Sequence, residues 1–298
     1  MKFSIVTPSF RMERWISRTI ESIISQEGDF EIEYILADGA SPDRTVALFE
    51  DYRKRIEDGS WPLRCKKITM SSFSEKDNGT FDAINKGMSR ATGDIVTWAD
   101  ADNTLEPGAL AAIAKTFEAF PDTQWVSAAG NTMNEQWEKT AYGMCFFYYQ
   151  PWLQAGVYGR EAYFVAQHGC FWRRELMSKI PPIPTSFRVA GDYWLWMQLA
   201  KYAAPLALNV HVANFMKREG QLHTSGGYRK EQEGTRPHRG AHALLAKAFF
   251  FPYYHGPKKF QPLLERLYPI LFPFQSLAYV EIQNGTPIKK RMSSFFVR

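Results

Sequence analysis

Asp100-Ala101-Asp102 sets two carboxylates one residue apart, directly after the run Asp94-Ile95-Val96-Thr97-Trp98-Ala99. That apolar run reads as a covered strand, which puts the pair at its carboxyl end. Two carboxylates there are costly to desolvate unless a cation neutralises them. A divalent metal carrying a diphosphate would do so, and hard oxygen ligands suit Mg²⁺ or Mn²⁺. Taken alone, the pair is more simply a turn former or a helix cap.

The elements that would position this pair are legible on either side of it. Phe3-Ser4-Ile5-Val6-Thr7 reads as a short buried strand, ended by Pro8-Ser9-Phe10 because proline cannot donate to a ladder. Trp15, Ile16, Ile20, Ile23 and Ile24 follow at helical spacing, and a second strand runs from Glu31 to Ala37 into Asp38-Gly39-Ala40-Ser41-Pro42-Asp43. Strand, polar tip, helix, strand, polar tip predicts a parallel sheet that binds ligands at the carboxyl ends of its strands. Asp38 and Asp100 would share that edge. Asp43 reads as a cap for a helix beginning near Arg44.

A third block, Asp77-Asn78-Gly79-Thr80-Phe81-Asp82-Ala83-Ile84-Asn85-Lys86-Gly87, completes a pattern. With Ile5-Val6-Thr7-Pro8-Ser9-Phe10, the Asp38 tip, the DXD pair at 100–102 and a later Gly191-Asp192-Tyr193, the chain resembles the inverting glycosyltransferases of family 2. Order and approximate spacing agree over about the first 200 residues. The resemblance implies an α/β, GT-A fold: a Rossmann-like, mixed, mostly parallel sheet flanked by helices. It implies a catalytic domain over 1–225, with a helical, aromatic extension over 226–298 serving as lid, interface or membrane-docking element.

The resemblance also distributes roles. Thr7, Pro8, Ser9 and Phe10 would lie beneath the base and ribose of a nucleotide sugar, with Phe10 free to stack. Asp38 would accept a hydrogen bond from the base imide. Asp77, Gly79, Asp82 and Asn85 would close over the base, glycine permitting close backbone approach. Many family members carry arginine where this chain has Ile84, so an arginine contact to the base is not expected from that position. Asp100 and Ala101 would border the ribose, and Asp102 would bind Mn²⁺ or Mg²⁺ directly. His223 could reach the metal or diphosphate from a flap, or could be a plain loop histidine. Asp192 is the candidate general base, at a helix N-terminus whose macrodipole would keep it ionised; the simpler reading is a helix cap.

Other residues carry weaker signals. His168 and Arg173, in Gln167 to Glu175, are candidate acceptor contacts, although a histidine on an aromatic strand is more often structural. Tyr142 to Trp152 is rich in aromatics that would suit either a sugar face or a core. Three dispersed cysteines argue against a disulfide framework or zinc site and for a reducing cytoplasm. No apolar run is long enough to span a bilayer and no signal-peptide pattern opens the chain. A net charge of +5 is compatible with an anionic substrate. No recognition helix or RNA-binding signature accompanies it, so nucleic acid is not an expected partner.

Beyond about residue 225 the resemblance fades. Tyr228 to Phe251 reads as one helix, and the lysines and aromatics of 250–260 and 289–296 fit core cover, a subunit contact or peripheral docking at the inner face of a membrane. The expected function is metal-dependent, inverting sugar transfer from a nucleotide-diphosphate donor to a glycan or lipid-linked hydroxyl acceptor, in surface polysaccharide or glycolipid synthesis. The alternatives are a sugar-phosphate nucleotidyltransferase, which should carry a glycine-rich arginine-lysine loop that Pro8-Ser9-Phe10-Arg11-Met12 does not supply, and a non-catalytic scaffold with a transferase fold.

Overall fold

A computed structural model describes residues 1–221, 227–235 and 240–297. The first third alternates strand and helix: β1 (Lys2–Ser9), α1 (Ile16–Ile24), β2 (Gly28–Asp38), α2 (Thr45–Glu57), β3 (Cys65–Ser74), α3 (Thr80–Arg90) and β4 (Ile95–Trp98). Next come β5 (Thr104–Leu105), α4 (Ala109–Ala119), β6 (Trp125–Met133), β7 (Lys139–Tyr142), β8 (Cys145–Phe146), α5 (Gln150–Gln154) and β9 (Cys170–Arg173). The rest comprises α6 (Arg174–Met177), α7 (Gly191–Leu199), β10 (Leu206–Met216), α8 (Gly227–Thr235), α9 (Ala241–His255), α10 (Gln261–Leu271), β11 (Ala278–Gln283), β12 (Thr286–Arg291) and β13 (Phe296–Val297).

One mixed sheet dominates, in the order β12-β11-β10-β6-β9-β4-β1-β2-β3. β3, β2, β1 and β4 are mutually parallel, as expected for strands joined by crossover helices. β9 then enters antiparallel between β4 and β6. Two apolar layers flank the sheet. Ile16, Ile20, Ile23 and Ile24 of α1 face one of them. On the other side α3 lies so close to β1 that a Cβ at Gly87 would fall 2.3 Å from Val6 Cγ1, so only glycine fits without movement.

β1 runs on through Pro8, which pairs with Ala37, instead of stopping before it. β4 ends opposite Val6, so over Thr7–Ser9 β1 has a ladder partner only in β2. A proline's missing donor is tolerated at such a one-sided position. The expected helix over Tyr228–Phe251 is two helices, with Gly240 in extended geometry at the N-cap of α9. The extension is also not solely helical, because β11 and β12 form a hairpin that joins the main sheet beside β10. The aromatic stretch 142–152 is mostly core: Cys145, Tyr148 and Trp152 are buried, whereas Tyr142 is exposed. Trp152 packs edge-on against Phe250 and Phe272, which ties α5 to the C-terminal helices.

Four tryptophans from β4, β6, β9 and α7 pack together. Trp196 of α7 is parallel to Trp98 of β4 at 6.3 Å and stacks on Trp125 of β6 at 5.4 Å. Trp172 of β9 meets both Trp98 and Trp196 edge-on. Offset and edge-on ring pairs are favourable beyond their buried area. The strand that leads to Asp100 and the helix that carries Asp192 are thereby packed on one another.

Candidate active site

The carboxyl ends of β1, β2 and β3 are fastened to each other through Asp38. Its Oδ1 accepts hydrogen bonds from the Ser9 hydroxyl (2.8 Å) and the Ser41 hydroxyl (2.6 Å). Its Oδ2 accepts from the Ser41 backbone N–H (2.8 Å) and the Ser74 hydroxyl (2.6 Å). Asp38 is buried, and four donors fill the acceptor capacity of a carboxylate. The expected direct contact to a base imide therefore requires one serine to release. The sequence pointed to Asp38 but not to the serine triad around it, which comes from three separate strand ends.

Around this hub, the residues expected at a nucleotide divide into two groups. Phe10 is 53% exposed, with the Arg11 guanidinium 5.2 Å from its ring centre, and offers a free face. Asp77 abuts the β2 tip: a Cβ on Gly39 would meet its Oδ2 at 2.5 Å, and its Oδ1 accepts from the Gly79 N–H. Gly79 has φ +113°, a region that favours glycine, and the Arg188 guanidinium lies against it while donating to the Asn78 carbonyl (3.0 Å). An arginine thus does reach this segment, from position 188, while Ile84 is core.

The second group is spent internally. The Thr7 hydroxyl is buried against the Tyr34 hydroxyl (3.1 Å), and Pro8 is covered. Asn85 uses its amide on both backbone groups of Ile183. Asp82 accepts the Asn78 N–H and pairs with Lys86, which holds its carboxyl below the usual range. Ala101 sits in the core. Asp82 and Asn85 thereby brace neighbouring backbone.

At the tip beyond β4, Asp100 is half-buried, and burial together with the negative charges of Asp102 and Asp192 pushes its carboxyl up to about 7. Asp102 is buried and already has a cation: Arg218 Nε donates to its Oδ2 at 2.7 Å. The Gln221 amide reaches the same oxygen at 3.4 Å and is itself held by the Met216 carbonyl. Trp15 flanks the guanidinium. No local pattern in the sequence marks Arg218, because its partner lies 116 residues away. His223 lies outside the described residues.

Two hard carboxylates whose charges oppose each other suit a divalent ion, with Arg218 holding the balance. No cluster of three or more His, Cys, Asp or Glu side chains is assembled among the described residues. A bound phosphate or water could supply further oxygens.

Asp192 lies in the first turn of α7, half-buried. Burial pushes its carboxyl up to about 6, while hydrogen bonds from the Tyr228 hydroxyl (2.9 Å) and the Tyr193 N–H (2.7 Å), both to Oδ1, act the other way. Desolvation outweighs the helix terminus in the direction of the shift, yet at about 6 the carboxyl is still mostly ionised at neutral pH. Glu231 of α8 accepts the backbone N–H groups of Arg188, Val189 and Ala190 at 2.8, 3.0 and 2.8 Å, fixing the turn into α7. Tyr228 and Glu231 lie beyond the boundary drawn at 225, and no local pattern marks them as partners of Asp192.

The two candidate acceptor contacts have partners within the fold. His168 is half-buried beside Phe215, and burial lowers it to about 4, so it is neutral at physiological pH. Arg173 donates to the Thr123 and Pro121 carbonyls and covers Phe117.

The mixed, mostly parallel sheet with its flanking helices is a GT-A fold, with carboxylates at its strand tips and at the start of α7. The family model for glycosyl transferase family 2 matches residues 4–180, and the chain belongs to that family. An uncharacterized glycosyltransferase of Nostoc sp. is 23% identical over 202 residues, covering 64% of this chain. The chain spans 57% of that relative's length, and 18% of the length of the Staphylococcus aureus poly(ribitol-phosphate) beta-N-acetylglucosaminyltransferase TarS, which it matches at 26% identity over 113 residues. Residues 1–349 of S. aureus TarS in complex with UDP-GlcNAc superpose with TM-score 0.60 at 16% identity, over 91% of this chain and 81% of TarS 1–349. The Pyrobaculum calidifontis mannosyltransferase PcManGT, in complex with GDP-Man and Mn²⁺, gives TM-score 0.50 at 18% identity, over 88% and 67%.

Proposed function

We propose that this chain transfers a sugar from a nucleoside-diphosphate donor to a hydroxyl acceptor, with inversion at the anomeric carbon, in building a surface polysaccharide or glycolipid on the cytoplasmic side of a membrane. The observation that carries the reading is the placing of the carboxylates: Asp100 and Asp102 stand at the tip beyond β4 and Asp192 in the first turn of α7, whose Trp196 packs on Trp98 of β4, and the charges of Asp102 and Asp192 add to burial in raising the Asp100 carboxyl. Carboxylates so placed, together with an exposed aromatic ring at Phe10, suit a nucleotide whose diphosphate arrives with a cation. The solved structures named above are complexes with UDP-GlcNAc, or with GDP-Man and Mn²⁺.

In this reading the base stacks at Phe10, between the Asp38 serine hub and the Asp77–Gly79 turn. Asp100 and Asp102 would hold Mn²⁺ or Mg²⁺. When bound, such an ion supplies charge neutralisation to the departing nucleoside diphosphate. Asp192 takes the proton of the acceptor hydroxyl as its oxygen bonds to the anomeric carbon and the carbon–phosphate-oxygen bond breaks on the opposite side. Both hydrogen bonds to Asp192 fall on Oδ1, which turns Oδ2 to the proton. The catalytic unit is assigned to residues 1–225, assisted by Tyr228 and Glu231, and the remainder of 226–298 to cover and docking.

Calorimetric titration with UDP, GDP, CDP and dTDP, with and without Mn²⁺, tests the donor site. One nucleotide should bind in a metal-dependent way, and Asp102→Ala should abolish it. Asp192→Asn should retain that binding and lose about 10²–10⁴-fold in turnover. Unimpaired transfer by Asp192→Asn would remove the base assignment, and no binding to any nucleotide would favour a scaffold.

A further inference from the structure

Sixteen large apolar side chains are exposed among the described residues, and nine of them fall between Leu244 and Phe274. That concentration singles out the outer face of α9 and α10. On α9, Leu244, Ala248, Phe251 and His255 recur at three- and four-residue intervals and point outward, while Ala246, Phe249 and Phe250 face the core. Leu244, Ala248, Phe251 and Pro252 line a shallow trough of about 330 Å³ with Lys247 at its rim. On α10, Leu263, Arg266 and Ile270 keep the same outward spacing, with Tyr268 buried behind them. Phe249 packs edge-on against Tyr268 and Phe272, and the Tyr253 hydroxyl donates to Glu265, so both outward faces turn away from a shared seam.

The charges of this face select its partner. Lys247, Lys258, Lys259 and Arg266 are exposed. Glu265 is the single acidic residue between 240 and 276, and it is engaged by Tyr253. A second copy of the same face would set cation against cation, whereas an anionic headgroup layer complements it. Aromatic and aliphatic side chains interleaved with lysines suit the depth at which headgroups meet acyl chains. No helix among the described residues is long and apolar enough to cross a bilayer, so the contact would be tangential.

We propose that the α9–α10 face docks on an anionic lipid surface, seating Phe251, Phe260, Leu263 and Ile270 at the acyl boundary and Lys258 and Lys259 against headgroup phosphates. The proposal is independent of the donor and metal assignments, because it is read without nucleotide. The full chain should co-sediment with mixed phosphatidylcholine–phosphatidylglycerol vesicles. Phe251→Ser with Phe260→Ser, both at exposed positions, should keep the native circular dichroism and lower partitioning about tenfold or more. Lys258→Glu with Lys259→Glu should weaken binding on anionic vesicles and leave any binding to pure phosphatidylcholine unchanged. Failure of the wild type to bind anionic vesicles, or equal binding by the double serine variant, overturns the proposal. A dimer in light scattering that the serine pair dissolves, without vesicle binding, would assign the face to a second copy instead.

Discussion

Arg218→Gln removes the cation that is paired with Asp102. The Nε–Oδ2 distance is 2.7 Å, with the arginine side chain 21% exposed and the carboxylate 7% exposed. A hydrogen bond to a charged group at that depth is worth about 1.5–3 kcal/mol. A divalent ion entering beside Asp102 must displace it. Without the guanidinium that cost disappears, and at ~1.4 kcal/mol per decade the intrinsic Mn²⁺ affinity should tighten about 10–100-fold. Titration of free Mn²⁺ by electron paramagnetic resonance, with no nucleotide present, reads this directly. The metal-free variant should also melt below wild type and recover with Mn²⁺, since it leaves a buried carboxylate without its partner. Asp102→Asn in either background should remove the tight Mn²⁺ signal. Equal or weaker Mn²⁺ binding by Arg218→Gln would refute the competition between guanidinium and metal.

Three further outcomes follow from the geometry. Asp192 must be ionised to act as base, so turnover should fall as pH drops through about 6, and Tyr228→Phe, which deletes a bond that lowers this value, should move that limb to higher pH in a pH–rate profile. Asp100, raised to about 7 from 3.8, binds a proton more readily folded than unfolded, so its contribution to stability is present at low pH and lost as pH rises through 7. Metal-free Asp100→Asn should therefore melt above wild type at pH 8.5, with the gap closing toward pH 4; a constant gap would contradict the linkage. Gly87→Ala should lose about 1–3 kcal/mol in denaturant melts, because its methyl would fall 2.3 Å from Val6 Cγ1, and an unchanged midpoint would mean that α3 shifts freely.

What could be read from the sequence was whatever the chain repeats locally. The alternation up to β4 is local periodicity punctuated by polar tips, so the parallel half of the sheet and the shared edge of Asp38 and Asp100 followed from it. The antiparallel entry of β9 and the return of β11 to β10 depend on contacts between distant segments, and no spacing encodes them. The same division holds at the site. Asp100, Asp102 and Asp192 announce themselves by position at element ends. Arg218 meets Asp102 across 116 residues and Tyr228 meets Asp192 across 36, in stretches whose composition is merely polar. Thr7 and Asn85 fit the motif, yet Tyr34 and Ile183 had already claimed them.

The hairpin of β11 and β12 has a practical corollary for anyone shortening this protein. β11 lies parallel to β10, with Val280 opposite Leu208, and both residues are fully buried. Removing the chain after about residue 250 would strip that neighbour away and leave the β10 backbone around Leu208 uncovered beside newly wetted aliphatics. Such a margin recruits strands from other molecules. A truncated enzyme is thus expected to be lost to inclusion bodies before its chemistry can be assayed, and point substitutions at the surface are the safer instrument.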